Sequence, residues 1–297
     1  MNKELKSRIE FGLFIFIYRF FKLLPYSLVR NFLQNLFIFG GYIIGIRKKV
    51  AYNNLTKVFK DKSDSEKKKI IKLMYKYMGR TTAEIYFGDE EKLFQETKII
   101  GKENLDNAVK MEKGVILATA HMGNWESSGK IIHRYHNVAV IYKKQRNQYF
   151  DEFNNKLRTR NGIILIRNQR SEMRTMFKLL KQNYILAILM DQHAGSRGIL
   201  TTFLGLPASS FPGTARIAIK LNCPILPGVA VRDKKGNNVL ICEKMILPDD
   251  YANDDRGIKR LTEDVTNVIE KLIIKYPEQW FWVHKRWKSV ESAKVID

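Results

Sequence analysis

In His121-Met-Gly-Asn-Trp-Glu126 an imidazole and a carboxylate stand five positions apart. The histidine ends an apolar run, Gly114-Val-Ile-Leu-Ala-Thr-Ala120, and the glutamate opens a helical pattern over 124–135. A carboxylate in the first turn of a helix is favoured by the macrodipole. Bent back across the loop, Glu126 can accept a hydrogen bond from one imidazole nitrogen and so fix the other as a base. A base held that way can take the proton of an acceptor hydroxyl as it attacks an activated acyl group, a contribution of about 10²–10⁴-fold. Gly123 permits close approach of a substrate. Spacing alone also fits a capping glutamate beside a satisfied loop histidine, so the surrounding elements have to decide.

Those elements alternate. Short apolar runs at 114–120, 138–142, 163–166, 185–190 and 225–231 predict buried strands, and helical patterns fill 124–135, 147–161, 171–182 and 213–221 between them. Lys234-Lys-Gly-Asn-Asn238 predicts a turn into a further strand over 239–246, paired antiparallel, and 256–275 reads as a closing amphipathic helix. The pattern predicts an α/β fold: a mostly parallel mixed sheet flanked by helices. In such sheets chemistry collects at the carboxyl ends of the strands. His121, Lys143 and Asp191 all fall there. Upstream, Ser63-Asp-Ser-Glu66 is a capping box that opens a helix running to about Phe87.

The chain has 297 residues, 52 Lys and Arg against 30 Asp and Glu, and a net charge of +22. That excess predicts an anionic partner: nucleic acid, an acidic membrane surface or a phosphorylated substrate. Cys223 and Cys242 have no metal spacing and make no disulfide scaffold. His133 and His136 stand three apart without an evident third ligand, and no Gly-rich nucleotide loop or nucleophile elbow occurs. Residues 1–50 carry an aromatic apolar stretch from Phe11 to Tyr18, then an uncharged run from Asn31 to Ile46 closed by Arg47-Lys48-Lys49. As a helix that run spans about 24 Å at about 1.5 Å per residue, short of the hydrocarbon core of about 30 Å. Basic flanks and aromatics predict helices lying in the membrane interface, and the charges at Arg19 and Lys22 argue against a cleavable signal peptide. The expected division is an anchoring region, 1–50, and an α/β domain, 51–297. A nucleic-acid binder would interleave its aromatics with basic residues on an exposed face, whereas 16 of the 34 aromatics here cluster within residues 1–50 and 276–288.

An apolar strand, then Ala-His-Met-Gly-Asn-Trp-Glu, then a helix resembles the bacterial lipid A late acyltransferases, the lauroyl and myristoyl transferases and their phosphatidylinositol mannoside relatives. Asn53-Asn54-Leu55 is similar to the family's segment after its anchor. Asp191-Gln192-His193 with Gly195, Gly198, Phe203-Leu-Gly205 and Pro207 resembles its loop after the fourth core strand. The run from Tyr276-Pro-Glu-Gln279 through His284-Lys-Arg286 is similar to its carboxyl-terminal signature. The resemblance implies that His121 is the base with Glu126 its partner, that Arg158 and Asp191 are essential, and that Gly123, Asn124, Lys143, Arg160 and Gln192 contact substrate. A guanidinium such as that of Arg158 could stabilise an oxyanion or grip a phosphate. The family commonly has Tyr-Arg after its second core strand; here Tyr142-Lys143 keeps the charge without the planar fork, with Lys144 and Arg146 beside it. It further implies no metal or organic cofactor, a donor of acyl carrier protein or acyl-coenzyme A, a phosphorylated glycolipid acceptor, and a place at the cytoplasmic face of the inner membrane. Thr201, Thr202, Ser209 and Ser210 read as surface loop residues.

Overall fold

The structure is a computed structural model that describes residues 2–288 and 294–296. Five helices come first: α1 (Lys3–Lys22), α2 (Tyr26–Phe37), α3 (Lys48–Val58), α4 (Asp64–Phe87) and α5 (Glu90–Glu96). A π-helical turn, Ile38–Ile43, extends α2. The capping box at α4 forms as the sequence predicts, with Ser63 and Glu66 each bonding the other's backbone N–H.

Next come β1 (Lys98–Ile100), α6 (Lys102–Lys110), β2 (Val115–Thr119), α7 (Trp125–His133), β3 (Val138–Tyr142), α8 (Gln148–Thr159), β4 (Ile164–Arg167), α9 (Met173–Lys181) and β5 (Ile185–Leu189). The chain finishes with β6 (Ile199–Phe203), β7 (Leu206–Ser210), α10 (Gly213–Leu221), β8 (Ile225–Arg232), β9 (Asn238–Cys242) and α11 (Asp255–Lys275). Seven strands form one sheet in the order β1-β9-β8-β2-β5-β3-β4, and only the β8–β9 pair is antiparallel. The expected mostly parallel sheet flanked by helices is therefore the observed one.

Period-two alternation builds the two sides. Ile116 and Ala118 of β2 and Leu186 of β5 face α9, α10 and α11, with Met176, Leu179, Ile217 and Leu261. Val115 and Leu117 of β2 and Ile185 and Ala187 of β5 face the other way, toward Leu105 of α6 and Ile132 of α7. Both faces are covered, which is why these strands read as continuous apolar runs.

Two expectations need correction. The segment read as a loop before Gly213 is the β6–β7 hairpin; Thr201, Ser209 and Ser210 are buried in it, while Thr202 is exposed. Arg286 donates to the Ser209 carbonyl and the Ser210 hydroxyl, which draws the hairpin inward. The strand expected over 239–246 stops at Cys242.

The expected helices at the amino terminus form, and no described helix is long and apolar enough to cross a membrane. On α1 one face is aromatic and docked: Phe11, Phe14 and Tyr18 contact Phe150 and Phe153 of α8 and Tyr86 and Phe87 of α4. The opposite face leaves Leu5, Ile9, Leu13, Phe16, Phe20 and Leu23 exposed, Phe16 by 71% and Leu23 by 83%.

Candidate active site

The strand register puts the site together. β2 and β5 are parallel neighbours with Thr119 opposite Leu189, so the residues two further on, His121 and Asp191, face each other. The Asp191 carboxylate lies 2.9 Å from Nδ1 of His121 and also accepts the backbone N–H of His121, at 3.0 Å. The indole N–H of Trp280 donates to the same oxygen at 2.7 Å. Asp191 is 2% exposed. Burial alone would push its carboxyl up; the His121 charge and these three donors outweigh it and hold the group below the usual carboxylate range. Burial likewise pulls the His121 imidazole down, but the Asp191 charge and hydrogen bond, and the more distant charge of Glu126, leave it above its ordinary value.

The hydrogen-bond partner of His121 is thus Asp191 and not the expected Glu126. With Nδ1 donating to Asp191, Nε2 is left as the acceptor nitrogen, and it faces the Gln192 amide nitrogen at 3.4 Å. Glu126 instead holds Arg158 through both its oxygens, at 2.9 and 2.5 Å. The reason is helical: Glu126 lies in the first turn of α7, within reach of Arg158 on α8. Tyr86, which sequence reasoning missed, stands beside this pair and donates to Asn154 of α8 at 2.9 Å. Two rings flank the imidazole, Trp125 edge-on at 5.4 Å and Phe281 tilted at 6.2 Å between ring centroids. The recess there is narrow, about 10 Å³, lined by Met74, Tyr77, Met78, His121, Trp125 and Phe281 among others. That is room for one water-sized group.

The loop carrying His121 is anchored from beneath. Gly123 has φ +52°, and a Cβ there would lie 2.5 Å from the Ala230 carbonyl oxygen. Its glycine therefore serves the close approach of β8, where the sequence suggested a substrate. Asn124 also departs from expectation. It is 2% exposed, its Oδ1 caps α7 at Ser127, and its Nδ2 donates to Glu84 at 2.7 Å, so its amide is committed to the protein. Glu84 in turn meets Arg232 at both oxygens, 2.7 and 2.8 Å. Burial would raise the Glu84 pKa, and the charges and hydrogen bonds of Arg232 and Arg80 bring it below normal instead. Arg232 also bonds Thr81, whose hydroxyl donates to the Gly123 carbonyl. The Gln279 side chain bonds the Arg232 backbone at both ends, while its carbonyl receives the Gly123 N–H. Gly123, Asn124 and Gln279 of this clamp lie in motifs the sequence offered, whereas Thr81, Glu84 and Arg232 carried none.

The other signature residues serve as scaffold. Asn54 donates to the carbonyls of Trp282 and His284, and Arg47 to that of Val283, so the segment after α2 pins the strap that bears Trp280 and Phe281. His284 accepts the His193 backbone N–H at Nε2, and burial first of all drops its pKa to about 4. Its lone pair is thereby spent. Lys143 and Arg160 are exposed at the ends of β3 and α8.

Residues 2–289 match the family of bacterial lipid A biosynthesis acyltransferases. The lipid A biosynthesis lauroyltransferase of Escherichia coli (strain K12) is 22% identical over 248 residues, which cover 82% of this chain and 79% of that protein. The palmitoleoyltransferase of the same organism is 23% identical over 257 residues, with the same coverage. A lipid A biosynthesis acyltransferase of Haemophilus influenzae is 22% identical across 96% of this chain and 92% of its own length. The chain belongs to this acyltransferase family.

Proposed function

We propose that the protein transfers a fatty acyl chain from a thioester of acyl carrier protein or coenzyme A to a hydroxyl of a lipid A precursor. The observation that carries this reading is a lone, partly open imidazole nitrogen held by a buried carboxylate inside an aromatic recess. The acceptor hydroxyl takes the place of Gln192 at Nε2 of His121. Nε2 removes its proton, the oxygen attacks the thioester carbonyl, and the resulting imidazolium is stabilised by Asp191. Collapse of the tetrahedral intermediate breaks the C–S bond, and the proton on His121 goes to the departing thiolate. Gln192, freed from Nε2, offers its amide N–H to the oxyanion, and Arg158, locked by Glu126, keeps Nη1 for the same charge or for a phosphate of the substrate. Lys143 and Arg160 form an exposed cationic approach for phosphorylated ligands.

The exposed face of α1 continues in Leu28, Phe32, Leu36, Phe39 and Ile43. Its size, beside Lys3, Lys6, Arg8 and Lys22, supports an interfacial anchor within residues 1–50 and a site facing the cytoplasmic side of the inner membrane, where the thioester donor is soluble. Burying a Phe contributes about 1.5–3 kcal/mol. Phe16→Asp with Phe20→Asp should therefore cut binding to anionic vesicles by about a hundredfold or more. Vesicle flotation measures this, and unchanged flotation would remove the anchor from the account.

Donor and acceptor are tested together by incubating the detergent-extracted protein with carrier-protein and coenzyme A thioesters and a tetra-acylated lipid A precursor. The expected product has gained one acyl chain in mass. No gain with any donor, alongside acylation of a lysophospholipid or another glycolipid, would move the acceptor to that class.

A further inference from the structure

Between α9 and α10 lies a groove of about 820 Å³ that shares no lining residue with the recess at His121. Met173, Phe177 and Ile217 supply its apolar surface, and Arg174, Arg216 and Lys220 its rim. The rim is built of exposed cations: the Lys220 ammonium stands 5.3 Å from the centroid of the Phe177 ring, and Arg216 shares part of its charge with Asp255 at 3.6 Å. Arg174 has no acidic partner among the described residues. Met173 is 38% exposed although it continues the apolar stripe of α9, so water covers a surface that packing would normally hide.

A volume of this size falls within the range of about 300–1,000 Å³ typical of small-molecule sites, which pair apolar walls with a few convergent polar groups. A hydrophilic anion would gain nothing from the walls, and a neutral lipid nothing from the rim. A ligand with one alkyl chain and one anionic head answers both. We propose that the α9–α10 groove binds a single-chain anionic amphiphile, its chain against Met173, Phe177 and Ile217 and its phosphate or carboxylate head between Arg174, Arg216 and Lys220. The site is independent of the acyl-transfer reading, since none of its residues belongs to the catalytic or scaffold groups above.

Gly213 allows a selective test. It lines the groove, and a Cβ added there meets no heavy atom within 4 Å, so Gly213→Phe fills the groove without disturbing the core. The probe is dodecyl phosphate carrying a diazirine in its chain, cross-linked to the full-length protein in neutral maltoside detergent and mapped by mass spectrometry. Labelling is expected on α9 and α10, competed by excess dodecyl phosphate and not by inorganic phosphate, and at least tenfold weaker in Gly213→Phe. Arg174→Glu with Lys220→Glu, both on the surface, should lower it to a similar extent and serves if the first variant does not fold. Labelling confined to α1 and α2, labelling unchanged in the folded variants, or equal competition by inorganic phosphate would overturn the proposal.

Discussion

Asp191→Asn should lower kcat by about 10²–10⁴-fold while leaving the protein folded, the range general-base catalysis commonly contributes. The loss follows from the hydrogen-bond directions at Asp191. One carboxylate oxygen receives two N–H donors, from the His121 backbone and the Trp280 indole. An asparagine must keep its carbonyl oxygen there, since its NH₂ cannot face two donors. The NH₂ then points at Nδ1 of His121, which must accept, and the ring proton moves to Nε2. The base nitrogen is thereby lost to the wrong tautomer. A pH profile separates this from general damage. Asp191 and its hydrogen bond lift the His121 pKa against burial, and the base works only when neutral, so wild-type kcat/KM rises with pH through a raised value. Removing the negative charge lets burial pull that value down, and the acid limb of the residual activity should move to lower pH. Activity within tenfold of wild type with an unmoved limb would show that Asp191 does not hold the base.

Arg232→Met should cost about 3–5 kcal/mol of stability, the usual penalty for stripping one partner from a buried ion pair. Both groups are enclosed, with the Arg232 side chain 0% and that of Glu84 6% exposed. Once Arg232 is gone, Glu84 keeps only Arg80 and Asn124. Thr81 and Asn124 lose their shared brace, so the His121 loop should loosen as the protein weakens. Pairing the change with Glu84→Leu should restore part of the loss, because no buried charge then remains unmatched. Denaturant midpoints of the two single variants and the double variant check this. A double variant as weak as the sum of the singles would mean that the two residues act separately.

The sheet was largely legible in the sequence because strands covered on both faces read as apolar runs with helices between them. What the sequence withheld was the order of the strands. His121 and Asp191 were each visible at a strand end, yet their partnership depends on β2 and β5 being neighbours in register, which strand–helix alternation does not specify. Glu126, close in sequence, looked like the natural partner; α7 turns it toward Arg158 instead. The β6–β7 hairpin was hidden by its own chemistry. Its turn is Leu204-Gly205, with Leu204 at φ +50°, a conformation leucine seldom adopts, and Pro207 sits in the second strand. Glu84, Thr81 and Arg232 were invisible for another reason: they lie on α4 and β8, far apart in the chain, and only the fold brings them under the His121 loop.

The central claim is that Nε2 of His121 takes the acceptor's proton during acyl transfer. Its most direct measurement is the mass of the lipid acceptor after incubation with a long-chain thioester and either the wild-type protein or His121→Ala, each shown to be folded by circular dichroism. The expected result is one added acyl chain with wild type and a rate lower by at least about 10²-fold in the variant, the lower end of what a lost general base removes. Acylation by His121→Ala within tenfold of the wild-type rate would contradict it.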